Sequence, residues 1–188
     1  MPKEGKRRAV FVDRDGTLNV NIDYLSDPAG YQLYPGVAEG LRMLRQAGYF
    51  LVVITNQSGI GRGLFTEEAL ERVHGRMREL LAREGASIDA LYFCPHRPDE
   101  GCACRKPGTA LFERAAREHG IELGRSFVIG DMGLDIEAGR RMGARTALVP
   151  EPRNRDRTLK EMEGWGFRPD FIGPDFLSAV RWILDAGK

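Results

Sequence analysis

Two aspartates, Asp13 and Asp15, stand two residues apart in VDRDGT (12–17), directly after an apolar run. Aspartate is a poor strand residue, and two of them at a strand end repel each other. Their presence there points to chemistry that needs paired carboxylates. A second pair, Asp131 and Asp135, lies in GDMGLD (130–135). Several carboxylates in one crevice require a cation. Hard oxygen donors with open positions suit Mg²⁺, which retains waters and meets substrate phosphates. Lys106, in RKP (105–107), and the Thr55 hydroxyl, in TNQSG (55–59), offer groups suited to phosphoryl oxygens. N–H groups around Gly16 and Gly59 add further donors. A carboxylate nucleophile, a magnesium ion and a lysine describe phosphoryl transfer. Asp15 is placed to protonate a leaving alkoxide and then to take a proton from the attacking water.

A second constellation is Cys94, His96, Cys102 and Cys104, four soft donors within eleven residues that use every cysteine of the chain. An odd number of cysteines clustered in one stretch is not a disulfide framework. Three thiolates and one imidazole suit a closed tetrahedral Zn²⁺ site, which is structural because no coordination position stays open. The surrounding loop, with Pro95, Pro98 and Gly101, has little apolar content. Zinc would supply the folding free energy that the loop lacks, and so hold Arg105 and Lys106, which follow Cys104 directly.

These groups need a scaffold. Short apolar runs at Ala9–Val12, 49–55, 90–93, Phe127–Gly130 and 146–149, with a short edge run at Phe171–Ile172, read as strands covered on both faces. Helices are expected at 37–47, at 66–84 with Thr66 as N-cap, at 107–119, at 134–142 and at 175–186. Strand and helix alternate. The expected fold is therefore α/β: a Rossmann-like parallel sheet with helices on both faces, no large cap domain and a zinc-stabilised loop, in one domain over 1–188. The charged, Pro- and Gly-containing stretch 151–168 reads as a surface excursion. In such a sheet, ligands sit at the carboxyl ends of the strands, and the reactive groups above follow the first four strands in turn. By the alternation of a strand, Arg14 points away from Asp13 and receives no catalytic role. His74, His119, Trp165 and Trp182 read as surface, packing or helix-end residues.

The chain has 188 residues, 42% hydrophobic and 29% charged, with a net charge of +1. That fits a soluble domain with no basic field for nucleic acid or an acidic membrane. No run reaches the ~18 apolar residues of a membrane span. The N-terminal MPKEGKRRAVFV lacks the apolar core of a secretion signal, so a cytoplasmic location and a monomer are expected.

DRDGT, TN, RKP and GDMGLD, in this order, resemble the haloacid dehalogenase superfamily of phosphatases, and the resemblance covers most of the chain. It implies an aspartyl-phosphate on Asp13 and acid/base work by Asp15. It further implies Mg²⁺ held by Asp13, the Asp15 backbone carbonyl and Asp131. Thr55 and Lys106 would steady the phosphoryl group, with Asp135 positioning Lys106. The zinc loop resembles the small branch of heptose bisphosphate and histidinol-phosphate phosphatases. TNQSGIGRG with FTE, and DRDGTLNVNIDYL, follow the heptose pattern. A small phosphorylated sugar is thus the expected partner, faced by Asn21, Asp23, Tyr24, Asn56, Gln57, Ser58 and Arg105. One departure is Met132, where the heptose pattern has a basic residue; a histidinol-phosphate or other small phosphomonoester substrate stays open. A non-catalytic, zinc-stabilised binding module would be expected to have lost a catalytic group, whereas all six (Asp13, Asp15, Thr55, Lys106, Asp131 and Asp135) are present.

Overall fold

The structure, a computed structural model, describes residues 6–187. Part of the N-terminal stretch read for a secretion signal therefore lies outside the described residues. Six strands form one sheet: β1 (Ala9–Val12), β2 (Phe50–Asn56), β3 (Ala90–Cys94), β4 (Phe127–Gly130), β5 (Arg145–Leu148) and β6 (Phe171–Ile172). Their order is β3-β2-β1-β4-β5-β6, and every pairing is parallel. Among the described residues seven α-helices accompany them: α1 (Val37–Gln46), α2 (Ser58–Gly61), α3 (Glu67–Arg83), α4 (Ala110–His119), α5 (Gly133–Arg141), α6 (Arg155–Glu163) and α7 (Phe176–Ala186).

The continuous apolar strands follow from burial on both faces. Val10, Val12, Leu51, Val53 and Ile129 pack into one core with α1, α3 and α7. Ala9, Phe11, Val52, Ile54 and Val128 turn to the other face and pack with α4 and α5. There Phe11 meets Phe112 edge-on, with ring centroids 5.2 Å apart. Truncating such a ring to alanine typically costs ~3–5 kcal/mol. Order reverses at β1, whose neighbours are β2 on one side and β4 on the other. A crevice opens at the carboxyl ends of strands at such a point. Asp13 and Asp131 are the first residues after β1 and β4, so they flank it.

The expected elements form, with shifts at their ends. Thr66 caps α3, its hydroxyl accepting from the Ala69 N–H at 3.2 Å. Asp175 caps α7 in the same way through the Ser178 N–H at 2.8 Å. The helix expected from 107 begins only at Ala110, because residues 105–108 close a turn of their own, Gly108 N–H to Arg105 O at 2.6 Å. The strand expected over 146–149 lies one residue earlier. The excursion at 151–168 is not wholly irregular: it holds α6, and Glu151 at its start is buried. No described helix is long and apolar enough to cross a membrane.

Candidate active site

Asp13 leaves β1 at the sheet's carboxyl edge. Lys106 arrives from the loop after β3 and is buried. Its ammonium donates to Asp13 Oδ1 at 2.6 Å and to the Ile54 carbonyl at 2.8 Å, and it pairs with Asp135 Oδ1 at 2.6 Å. Burial alone would lower the Lys106 pKa, but the Asp13 and Asp135 carboxylates override it and hold the ammonium charged. Asp135 sits in the first turn of α5, where its Oδ2 accepts from the Met132 N–H at 3.2 Å. Gly130 makes room for it: a Cβ there would lie 2.3 Å from Asp135 Cγ.

Lys106 is held from behind by Asn56. The Asn56 carbonyl oxygen accepts from Lys106 N–H at 3.0 Å, and its amide donates to Lys106 O at 3.3 Å. Both polar ends of Asn56 grip the Lys106 backbone, and Asn56 also borders the space beside Asp13 where substrate is expected. Gln57 is similarly engaged, donating to Thr55 Oγ1 and Asp15 Oδ2, each at 2.8 Å.

Arg14 corrects the reading of the sequence. Its side chain is 1% exposed and forks onto Asp15, with Nη2–Oδ2 at 2.7 Å and Nε–Oδ1 at 3.1 Å. Strand alternation fails here because β1 has already ended. Residues 14–19 form a tight turn whose amide groups converge on the Arg14 carbonyl, Leu18 N–H at 2.8 Å. Asn19 adds a further bond to Asp15 Oδ1 at 3.1 Å. Two carboxylates two residues apart with a basic residue between them are the signal that could have revealed this clamp.

Asp13, Asp131 and Asp135 bring their carboxylate oxygens within 4.8 Å of one another. Burial first, and then the neighbouring carboxylates, push Asp131 well above the usual range. Burial and Asp135 likewise raise Asp13, against the lowering effect of Lys106. Asp131 Oδ1 is buried with no hydrogen-bond partner. Gly16, at φ +86°, lies so close that a Cβ would stand 2.4 Å from Asp131 Oδ2. An orphaned buried oxygen in a hard-oxygen crevice fits a divalent cation such as Mg²⁺.

The second cluster also assembles. Cys104 Sγ lies 3.0 Å from Cys94 Sγ and 3.5 Å from Cys102 Sγ, and His96 Nδ1 lies 3.2 Å from Cys104 Sγ. Three thiols and an imidazole within 4.8 Å of one another could hold a metal ion and fit the donor set of structural zinc, and no disulfide joins them. Arg105 follows at the rim, its guanidinium 3.5 Å from the His96 carbonyl.

A cavity of about 210 Å³ is lined by Asp13, Asp15, Thr55, Lys106, Asp135 and their neighbours Asn21, Asn56, Arg105, Met132 and Leu134. A second, of about 310 Å³, adjoins it and carries Asp23, Tyr24, Gln57 and Ser58. Tyr24 is 47% exposed and takes a left-handed backbone, φ 53°. The first cavity has the reactive groups of phosphoryl transfer; the second has polar groups suited to a hydroxylated substrate body.

Residues 103–179 match a family model described as HAD-hydrolase-like. A D-glycero-D-manno-heptose-1,7-bisphosphate 7-phosphatase of Thermosynechococcus vestitus is 39% identical over 188 residues, covering 94% of this chain and 95% of its own. A D-glycero-beta-D-manno-heptose-1,7-bisphosphate 7-phosphatase of Helicobacter pylori J99 is 40% identical, over 84% of this chain and 96% of its own. Among solved structures, D,D-heptose 1,7-bisphosphate phosphatase from B. bronchiseptica, complexed with magnesium and phosphate, superposes with a TM-score of 0.84 at 32% identity, covering 95% of this chain and 99% of the other. The corresponding phosphatase from Burkholderia thailandensis superposes with a TM-score of 0.71 at 31% identity. The crevice at β1 and β4 and the near full-length likeness agree, and the chain belongs to the HAD-like phosphatases, a family of phosphoric monoester hydrolases.

Proposed function

We propose that this chain is a Mg²⁺-dependent phosphatase that removes the 7-phosphate of D-glycero-D-manno-heptose 1,7-bisphosphate through an aspartyl-phosphate on Asp13. The observation that carries the reading is the meeting of Asp13, Lys106, Asp131 and Asp135 in one buried crevice, beside a cavity that leads to a second, polar one. Relatives named for this substrate, similar over almost the whole chain, support the choice of ester.

In this reading the Asp13 carboxylate attacks phosphorus. The leaving sugar oxygen takes a proton from the carboxyl of Asp15, and the phosphoryl group passes to Asp13. Asp15 then removes a proton from water, which attacks the acyl phosphate, releases inorganic phosphate and restores Asp13. Lys106 and Thr55 hold phosphoryl oxygens. Asp13, Asp131 and the Asp15 carbonyl would hold Mg²⁺, which neutralises charge on the phosphoryl group. Arg14, Asn19 and Gln57 fix where Asp15 stands. Cys94, His96, Cys102 and Cys104 would hold Zn²⁺ and keep the Lys106 loop in shape.

One observation favours a second reading. Met132, at the rim of the cavity, is neutral and 47% exposed, so the phosphate contact that a basic residue would supply there is missing. A monophosphate such as histidinol phosphate loses nothing by that. The test is kcat/KM on heptose 1,7-bisphosphate, fructose 1,6-bisphosphate and histidinol phosphate, with Asp13→Asn as control. The heptose should lead and Asp13→Asn should abolish turnover of all three. A lead for histidinol phosphate would replace the substrate and keep the chemistry.

A further inference from the structure

Asn21 stands where four cavities meet. It lines the catalytic cavity, the polar cavity with Asp23 and Tyr24, a cavity of about 340 Å³ beside Met132 and Trp165, and one of about 400 Å³ beside Glu151 and Arg153. Asn21 therefore borders each of these four spaces, into which a substrate body could extend from the transferred phosphoryl group. Yet the loop carries no regular structure at that point, and Tyr24 in it holds a left-handed backbone.

The main chain at Asn21 is held from outside the motifs of the site. Arg153 Nη2 donates to the Asn21 carbonyl. Tyr34 reaches the same cluster through its phenol, which donates to Glu151. Arg153 and Tyr34 converge on one carboxylate, Glu151, which is 2% exposed. Glu151 accepts from Arg153 Nε at 3.0 Å, pairs with Arg153 Nη2 at 2.9 Å, accepts from Tyr34 Oη at 3.3 Å and accepts from the Asn154 amide. Glu151 lies just beyond β5, so the chain runs from the sheet's carboxyl edge through Glu151 and Arg153 to the loop after β1. A carboxylate buried at such a place is retained only if its partners satisfy it. Here they do, and the surplus donor of the guanidinium is spent on one backbone carbonyl of the substrate loop.

We propose that Glu151, Arg153 and Tyr34 form a strut that fixes the backbone at Asn21 and thereby sets discrimination for the part of the substrate remote from the transferred phosphoryl group. None of the three lines the cavity that holds Asp13 and Lys106, and Glu151 and Arg153 border only the outer cavity of about 400 Å³, so towards the reacting atoms they are positioning residues. The inference rests on the reading of that cavity as a sugar phosphatase site.

The test uses Arg153→Ala, Arg153→Lys and Glu151→Gln. Arg153 is exposed but is the cationic partner of buried Glu151, so thermal unfolding of each variant accompanies the kinetics, and Arg153→Lys keeps the charge where Arg153→Ala removes it. In Arg153→Ala, KM for heptose 1,7-bisphosphate should rise about tenfold or more, the effect of losing a charge-assisted hydrogen bond. The kcat should stay within about threefold, and KM for p-nitrophenyl phosphate, which has no sugar, within about twofold. Amide hydrogen exchange over residues 21–25 should speed up by a similar factor of ten or more, while exchange in β1 and β4 stays as it was. Lysine at 153 can still reach the Asn21 carbonyl with one donor and should restore part of the KM. Unchanged exchange at 21–25 overturns the proposal. So does a parallel loss on both substrates that tracks the melting temperature. If the wild-type chain does not turn over the heptose ester at all, the substrate reading fails separately. The strut is then judged by the exchange data and by KM on the best ester found.

Discussion

Gly16→Ala isolates the geometry of the metal crevice with one methyl group. The backbone at Gly16 has φ +86°, where an alanine is strained by ~1–2 kcal/mol. For a chain of this length that lowers the melting temperature by ~2–8 °C. The larger effect is local. The new Cβ would lie 2.4 Å from Asp131 Oδ2 and 2.8 Å from its Cγ, so carboxylate and loop must part by about an ångström to reach ordinary contact. A displacement of ~1 Å in a reacting constellation costs on the order of 10²-fold in rate. The expected result is a fall in kcat/KM of that size, accompanied by loss of the rise in melting temperature that Mg²⁺ should give the wild type. Asp131→Ala, which deletes the carboxylate without touching the turn, should lose the same Mg²⁺ response. The assay is a Mg²⁺ titration followed by thermal unfolding and by phosphate release. If Gly16→Ala keeps both its activity and its Mg²⁺ response while Asp131→Ala loses them, the close approach of Gly16 to Asp131 is irrelevant and the reasoning is refuted.

Removing zinc with a zinc-selective chelator, followed by excess Mg²⁺, should lower kcat by at least tenfold through displacement of Lys106; a folded, zinc-free protein with full activity would contradict this. His74 offers a stability test. It is fully buried, neither ring nitrogen has a hydrogen-bond partner, and burial, aided by Arg14, lowers its pKa to about 4. The unfolded chain protonates this histidine near pH 6.5 and the native chain only near 4, so its contribution is complete above about pH 6.5 and drains away as the pH falls towards 4. The loss amounts to ~3 kcal/mol. Urea midpoints at pH 7.5 and 5 should therefore diverge less in His74→Leu than in the wild type, and equal divergence would count against the argument.

The alternating pattern of apolar runs and capped helices was enough to read the parallel sheet, because burial on both faces leaves an unmistakable signature in strands such as Phe50–Asn56. The reactive residues were legible for a related reason: each directly follows a strand, and a parallel sheet gathers those positions at one edge. What was not legible lies in the irregular chain. Arg14 was assigned by strand alternation, and the strand had stopped at Val12. Asn56 and Gln57 have the right chemistry for a substrate, but their amides are spent on Lys106 and on Asp15 with Thr55, a choice that only distances reveal. Glu151 gave no signal at all. A glutamate in a charged, proline-bounded stretch reads as solvated, and it is buried only because Tyr34, 117 residues earlier, and its own neighbours supply donors.

The double grip of Asn56 on the backbone of Lys106 has a consequence for how such a loop can change. Lys106 is tethered twice: upstream through Cys104 in the cysteine–histidine knot, and laterally through an amide rooted at the end of β2. Residues 97–101, between His96 and Cys102, are exposed, and Gly101 among them holds a left-handed backbone, φ +63°, that favours glycine. Insertions or deletions there would alter the outer wall of the loop while the ammonium stays at its post. The chain thus separates a part that can drift in length from a part that cannot, and the boundary between them is the pair Cys102 and Cys104.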